Sequence, residues 1–170
     1  GLPVEKFIAA TNANDFFPKY LESGESNAMP SKQTISNSMD VGRPSNFDRI
    51  LKIYNQNVTK IRRDLTSWSF QDNETKYAIK YTKDKLNYLA DPHTAVGLSG
   101  IEKYRKEVNE NLTGIILATA HPGKFPQVVE PVINEKIAIP KQLQKSMEKE
   151  KNSIIIPAHY SYLKEFLIHN

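Results

Sequence analysis

Apolar residues along this chain fall into two spacings, short runs and helical stripes. Val4-Glu5-Lys6-Phe7-Ile8-Ala9-Ala10-Thr11 and Ile115-Ile116-Leu117 are short apolar runs rich in β-branched residues, long enough for buried strands and too short for helices. Trp68 and Phe70 alternate with Ser67 and Ser69 and predict a brief strand, and Ile154-Ile155-Ile156 predicts a small one. Between them lie stripes at helical spacing. Phe47, Ile50, Leu51 and Tyr54 form one, behind a capping-box-like signal from Ser45 and Asp48. A second helical piece is expected around Val58–Leu65. Asp72 is expected to cap the next helix, whose buried side carries Ala78, Ile79, Thr82 and Leu86, with Asn87 as a left-handed terminator. Asp91-Pro92-His93-Thr94 turns the chain into a stripe of Leu98, Ile101, Tyr104 and Val108. Val128, Val129 and Val132, a charged stretch near Lys141–Lys151 and Tyr160–Ile168 complete the helical set. Phe16–Leu21 reads as a short helix or an irregular packed segment. Residues 22–38, rich in Ser, Asn and Gly, read as a long loop of mobile composition. Strands alternating with helices give an α/β fold class with a mostly parallel sheet.

The stretch Gly114–Phe125 stands out within this pattern. Its apolar run shrinks to Ala118-Thr119-Ala120, side chains small enough for a ligand to approach the backbone. His121-Pro122-Gly123 then turns the chain, and Pro126 suits the first turn of a helix. Open α/β sheets bind ligands outside the carboxyl ends of their strands, which makes Thr119 the expected ligand edge. His121 either faces a cleft or shapes this turn, and His93 either faces a cleft or caps its helix. Lys124 reads as a solvated lysine beside a turn.

Other chemistry is not signalled. The seven glycines form neither a dinucleotide fingerprint nor a phosphate-binding loop. Gly97-Leu98-Ser99-Gly100 continues into Ile101, so it is no nucleophile elbow; it suits close packing of a helix. The four histidines lack metal-ligand spacing and there is no cysteine, so no metal site is expected.

Composition narrows the class further. With 170 residues, 39% hydrophobic and 25% charged, the chain reads as one ordinary soluble domain. The formal net charge of +4 raises nucleic acid as a partner, but Lys80, Lys83 and Lys85 sit with Asp84, and Lys145, Lys149 and Lys151 with Glu148 and Glu150. Interspersed charge of this kind is a solvated helix face, and no nucleic-acid partner is expected. No run approaches the ~20 apolar residues of a membrane span, and no signal peptide opens the chain. Those features and the missing cysteines suit a cytoplasmic protein. The chain opens at Gly1 and enters an interior-type strand almost at once, as if cut from something longer.

Several segments carry a resemblance to a known family. Phe7–Asp15, Ser38–Gly42, Pro44–Arg49, Asp91–Gly97 and Ala118–Phe125 resemble, in order and spacing, the carboxyl-terminal part of the threonine synthase family, from near Gly1 to the last helix. The resemblance implies part of the large domain of a fold type II pyridoxal-phosphate enzyme, a three-layer α/β sandwich related to the tryptophan synthase β subunit. It implies that residues 1–170 form the carboxyl-terminal part of the catalytic domain, with the Schiff-base lysine and the phosphate-binding loop lying upstream. The implied activity of the intact enzyme converts O-phospho-L-homoserine and water to L-threonine and phosphate. Thr119 matches the threonine whose hydroxyl meets the pyridine nitrogen of the cofactor. A neutral hydroxyl can donate to an unprotonated nitrogen but cannot hold a pyridinium as a carboxylate would. Ala118, Ala120, His121, Asp40 and His93 fall in matching segments and are expected to shape the cleft. Ser38 and Gly123 stand where alanine is more usual. The isolated chain is expected to be inactive, to bind the cofactor weakly, and to self-associate through exposed sheet edges. Two other readings stay open: a related pyridoxal-phosphate lyase or phospholyase, and a non-enzymatic α/β binding module.

Overall fold

The structure, a computed structural model, describes residues 3–109 and 112–169. Its organising element is strand β1 (Phe7–Thr11), which pairs in parallel with β2 (Leu65–Ser69), Phe7 opposite Leu65 and Thr11 opposite Ser69. Parallel strands need a crossover, supplied here by helices α1 (Phe16–Ser23), α2 (Phe47–Ile53) and α3 (Val58–Asp64). Side chains alternate across a strand, so β1 offers Ala9 to one face and Ile8 and Ala10 to the other. On the Ala9 side, Phe16, Phe17, Tyr20, Phe47 and Ile61 form an aromatic cluster, with Phe47 meeting Phe16 and Tyr20 edge-on at 4.9 and 4.7 Å. On the other side lies α5 (Pro92–Val108). A β-carbon built on its Gly100 would stand 2.9 Å from Ala10 Cβ and 3.0 Å from Ile8 Cγ2. Helices therefore cover both faces of the sheet, the expected three-layer order.

A second cluster joins α5 to α4 (Asp72–Leu86) and α6 (Pro126–Ile133) through Ala78, Ile79, Ala95, Val129 and Ile133. Just beyond α6, the Lys136 ammonium and the Ile137 N–H hydrogen-bond the Glu130 carboxylate and hold its pKa below the usual range. Asn87, Asn109 and Asn134 end α4, α5 and α6 in the left-handed conformation that asparagine tolerates. By contact the chain divides into two units, 1–138 and 139–170. The second unit contains α7 (Lys141–Met147) and α8 (Tyr160–His169) and no buried side chain among its described residues. Among the described residues no helix is long and apolar enough to cross a membrane.

Several local expectations change. The residue capping α2 is Asn46, not Ser45, and Asp48 accepts a hydrogen bond from Arg43 at 2.6 Å instead of closing a capping box. Gln71 caps α4, with Asp72 one place inside; the Glu74 carboxylate accepts from the Gln71 N–H at 2.7 Å. Leu86 is 52% exposed, because it lies in the last turn, beyond the reach of α5 and α6. Residues 154–156 form no strand, and Ile155 is 96% exposed. The 114–117 run also lacks a ladder partner among the described residues, and Ile115 and Leu117 are 81% and 84% exposed. A strand forms only where another backbone answers its N–H and C=O groups. None of the described residues does so here.

Candidate functional site

The carboxyl end of β1 runs into Asn12 and Asn14, both buried, and their amides organise the long loop that follows α1. Asn12 Oδ1 accepts from the backbone N–H and side-chain amide of Asn14, each at 2.9 Å. Asn12 Nδ2 reaches Thr34 Oγ1 at 2.7 Å and Asp40 Oδ1 at 2.8 Å. The Thr34 hydroxyl donates to Asp40 Oδ1 at 2.7 Å and its N–H to Oδ2 at 2.9 Å. Asn14 also pairs with both backbone groups of Lys32, at 2.7 and 2.9 Å. Asp40 is thus an acceptor hub that fastens the 31–40 stretch to the end of β1. Asp72 Oδ1 takes the Ile35 N–H at 3.2 Å and ties the same stretch to the start of α4. A segment that reads as a mobile loop is fixed by side-chain bonds on both flanks.

A third tie comes from α5. Asp91, its N-cap, has a fully buried side chain that accepts from the His93 backbone N–H at 2.9 Å, from His93 Nδ1 at 2.8 Å and from the Thr94 hydroxyl. A carboxylate only accepts, so Nδ1 carries the imidazole proton and Nε2 keeps its lone pair. That lone pair accepts the Ser38 N–H at 3.2 Å. The same ring lies 5.0 Å from that of Phe125, at the end of the turn that follows Thr119. His93 is therefore both a helix-start residue and a bridge between two loops.

Thr119 ends the unpaired 113–119 segment, is exposed, and hydrogen-bonds no described residue. Ala118 beside it is exposed and Ala120 half-buried. His121 Nδ1 accepts the Gly123 N–H at 3.0 Å, so the turn-shaping role is realised while the ring stays exposed. Lys124 is exposed. Gly97 and Gly114 let the segment lie on α5: a β-carbon at Gly97 would stand 3.2 Å from Ile116 Cγ2, and one at Gly114 2.8 Å from Ile101 Cγ2. Two open grooves lie elsewhere, one of about 580 Å³ along β2 and α1, the other of about 790 Å³ between α4 and α5. Neither is lined by Thr119, Asp40, His93 or His121. Sequence reasoning missed Asn12, Asn14, Thr34 and Asp91 as a polar framework. Their one visible signal was the run Asn12-Ala13-Asn14-Asp15 directly after a strand.

Helices on both faces of a parallel strand pair, with polar side chains gathered at the strand's carboxyl end, define a layered α/β fold. Residues 94–167 match the family model "Threonine synthase, C-terminal". Threonine synthase of Serratia marcescens is 34% identical over 99% of the chain, which covers 38% of that protein. The crystal structure of threonine synthase from Escherichia coli superposes with a TM-score of 0.82 at 32% identity, over 99% of this chain and 38% of that one. The structure of pyridoxal-phosphate-bound threonine synthase from Brucella melitensis gives 0.78 at 27% identity, over 99% of this chain and 41% of that one. Over 99% of its length the chain is similar to these threonine synthases, and it spans about two fifths of the relatives it matches.

Proposed function

We propose that this chain supplies the carboxyl-terminal share of an active site that converts O-phospho-L-homoserine and water to L-threonine and phosphate. The observation that carries the reading is the Thr119 hydroxyl, free and exposed at the end of a segment corresponding to threonine synthase. A lone neutral hydroxyl fits the ring nitrogen of pyridoxal phosphate: it donates one hydrogen bond and leaves the nitrogen unprotonated. When bound, the cofactor supplies the electron withdrawal that lets phosphate leave the γ carbon and water add at the β carbon. Thr119 tunes that withdrawal and does not itself react. The methyl groups of Ala118 and Ala120 leave room for the ring, the His121 turn fixes the direction of the segment, and Asp40 and His93 hold the loops at its rim. The chain offers one contact to the cofactor and no lysine assigned to it. It is therefore expected to be inactive alone, to hold the cofactor weakly and to work in the cytoplasm.

The test uses a full-length threonine synthase carrying this segment. Thr119→Asp adds a carboxylate that favours the protonated ring nitrogen, so the visible spectrum of the bound cofactor is expected to change. Turnover of O-phospho-L-homoserine should fall well beyond any loss of stability. An unchanged spectrum with unchanged turnover would overturn the role of Thr119. Turnover of another amino acid in place of phosphohomoserine would move the protein to a related lyase.

A further inference from the structure

We propose that Asp91 and His93 act as a positioning pair that sets the 36–40 turn against the Thr119–Phe125 turn through one selected tautomer of His93. The inference rests on the reading of Thr119 as a cofactor-facing residue, but its geometry is independent of any ligand. Three observations carry it. The buried Asp91 carboxylate receives Nδ1–H, which leaves Nε2 as the acceptor. Nε2 takes the Ser38 N–H, two residues before the Asp40 hub. The same ring also meets Phe125, four residues after His121. The two loops touched by this one ring are far apart in sequence, and Asp40 holds only the first of them.

A helix cap would need only the Asp91 carboxylate; it would not need an imidazole whose second nitrogen points at another loop. Asp91 also accepts from the Thr94 hydroxyl, so its orientation is fixed before His93 is considered. The pair thus keeps the proton off the nitrogen of His93 that meets Ser38. In the other tautomer Nε2–H and the Ser38 N–H would be two donors facing each other.

The test reads the 170-residue chain by nuclear magnetic resonance. The nitrogen shifts of His93 should show Nδ1 protonated and Nε2 bare. His93→Gln places a side-chain oxygen where Nε2 was and keeps the Ser38 bond; His93→Asn keeps the Asp91 bond and loses Ser38. Exchange of the Ser38 amide should therefore quicken about tenfold in His93→Asn and stay near the parent rate in His93→Gln. The amide shifts of Thr119–Phe125 should move in both variants, because both remove the ring that meets Phe125. A protonated Nε2, equal Ser38 exchange in the two variants, or an unmoved 119–125 stretch would each overturn the pair's role. Failure of the Thr119→Asp experiment would leave these readouts intact, so the two proposals fail separately.

Discussion

Gly100 sits where α5 comes nearest to β1, and its missing side chain decides how the helix lies on the sheet. An added methyl would meet Ala10 Cβ at 2.9 Å and Ile8 Cγ2 at 3.0 Å, and both neighbours are held by the strand pairing. Gly100→Ala gains about 1 kcal/mol of helix propensity, against an overpacking cost of about 1–3 kcal/mol. A net loss of stability in urea unfolding is expected. Gly97→Ala is the control: its methyl meets only Ile116 Cγ2, at 3.2 Å, on a segment with no ladder to hold it. That variant should be neutral or stabilising, and equal losses from both would contradict the packing argument. The close packing was legible, because two glycines three apart in a helical stripe mark one face. The Asp40 hub was not. Asn12 and Asp40 meet across 28 residues of polar chain, and side-chain bonds of that range leave no periodicity to read.

At the scale of elements, hydrophobic period placed nearly every helix, while caps and two of the expected strands went astray for a common reason. Ser45 and Asp72 are good capping residues by type, yet Asn46 and Gln71 occupy those positions, since tertiary bonds claim the neighbours. Asp48 turns to Arg43, and Asp72 receives Ile35. Residues 114–117 have the composition of a buried strand, and burial depends on what lies beside them. With Ile115 and Leu117 more than four-fifths exposed and the backbone unpaired, the segment is a template for another strand. The chain should therefore associate with itself at micromolar concentrations in sedimentation velocity, and Ile115→Lys with Leu117→Lys should return it toward the monomer. A monomeric parent, or association indifferent to both lysines, would assign the exposed run no pairing role.

For the whole molecule, the distribution of the core separates what folds from what accompanies it. Both hydrophobic clusters, and all the buried side chains described, lie between residues 12 and 133. From 139 onward no described residue is buried, and Ile154, Ile155, Tyr160, Leu167 and Ile168 are exposed. The family match over 94–167 nevertheless runs across both units, so the second stretch is part of the threonine synthase pattern without a core of its own. Composition could not reveal this division, because apolar content is high in both parts and only burial tells them apart. Residues 1–138 made alone should therefore unfold cooperatively, with a midpoint within a few degrees of the parent. A peptide of residues 139–170 should show little helix by circular dichroism in water. Its two helices have 7 and 10 residues, below the ~12–15 at which isolated helices become stable. A non-cooperative 1–138, or a strongly helical peptide, would mean that stability is shared between the units and not confined to the two clusters.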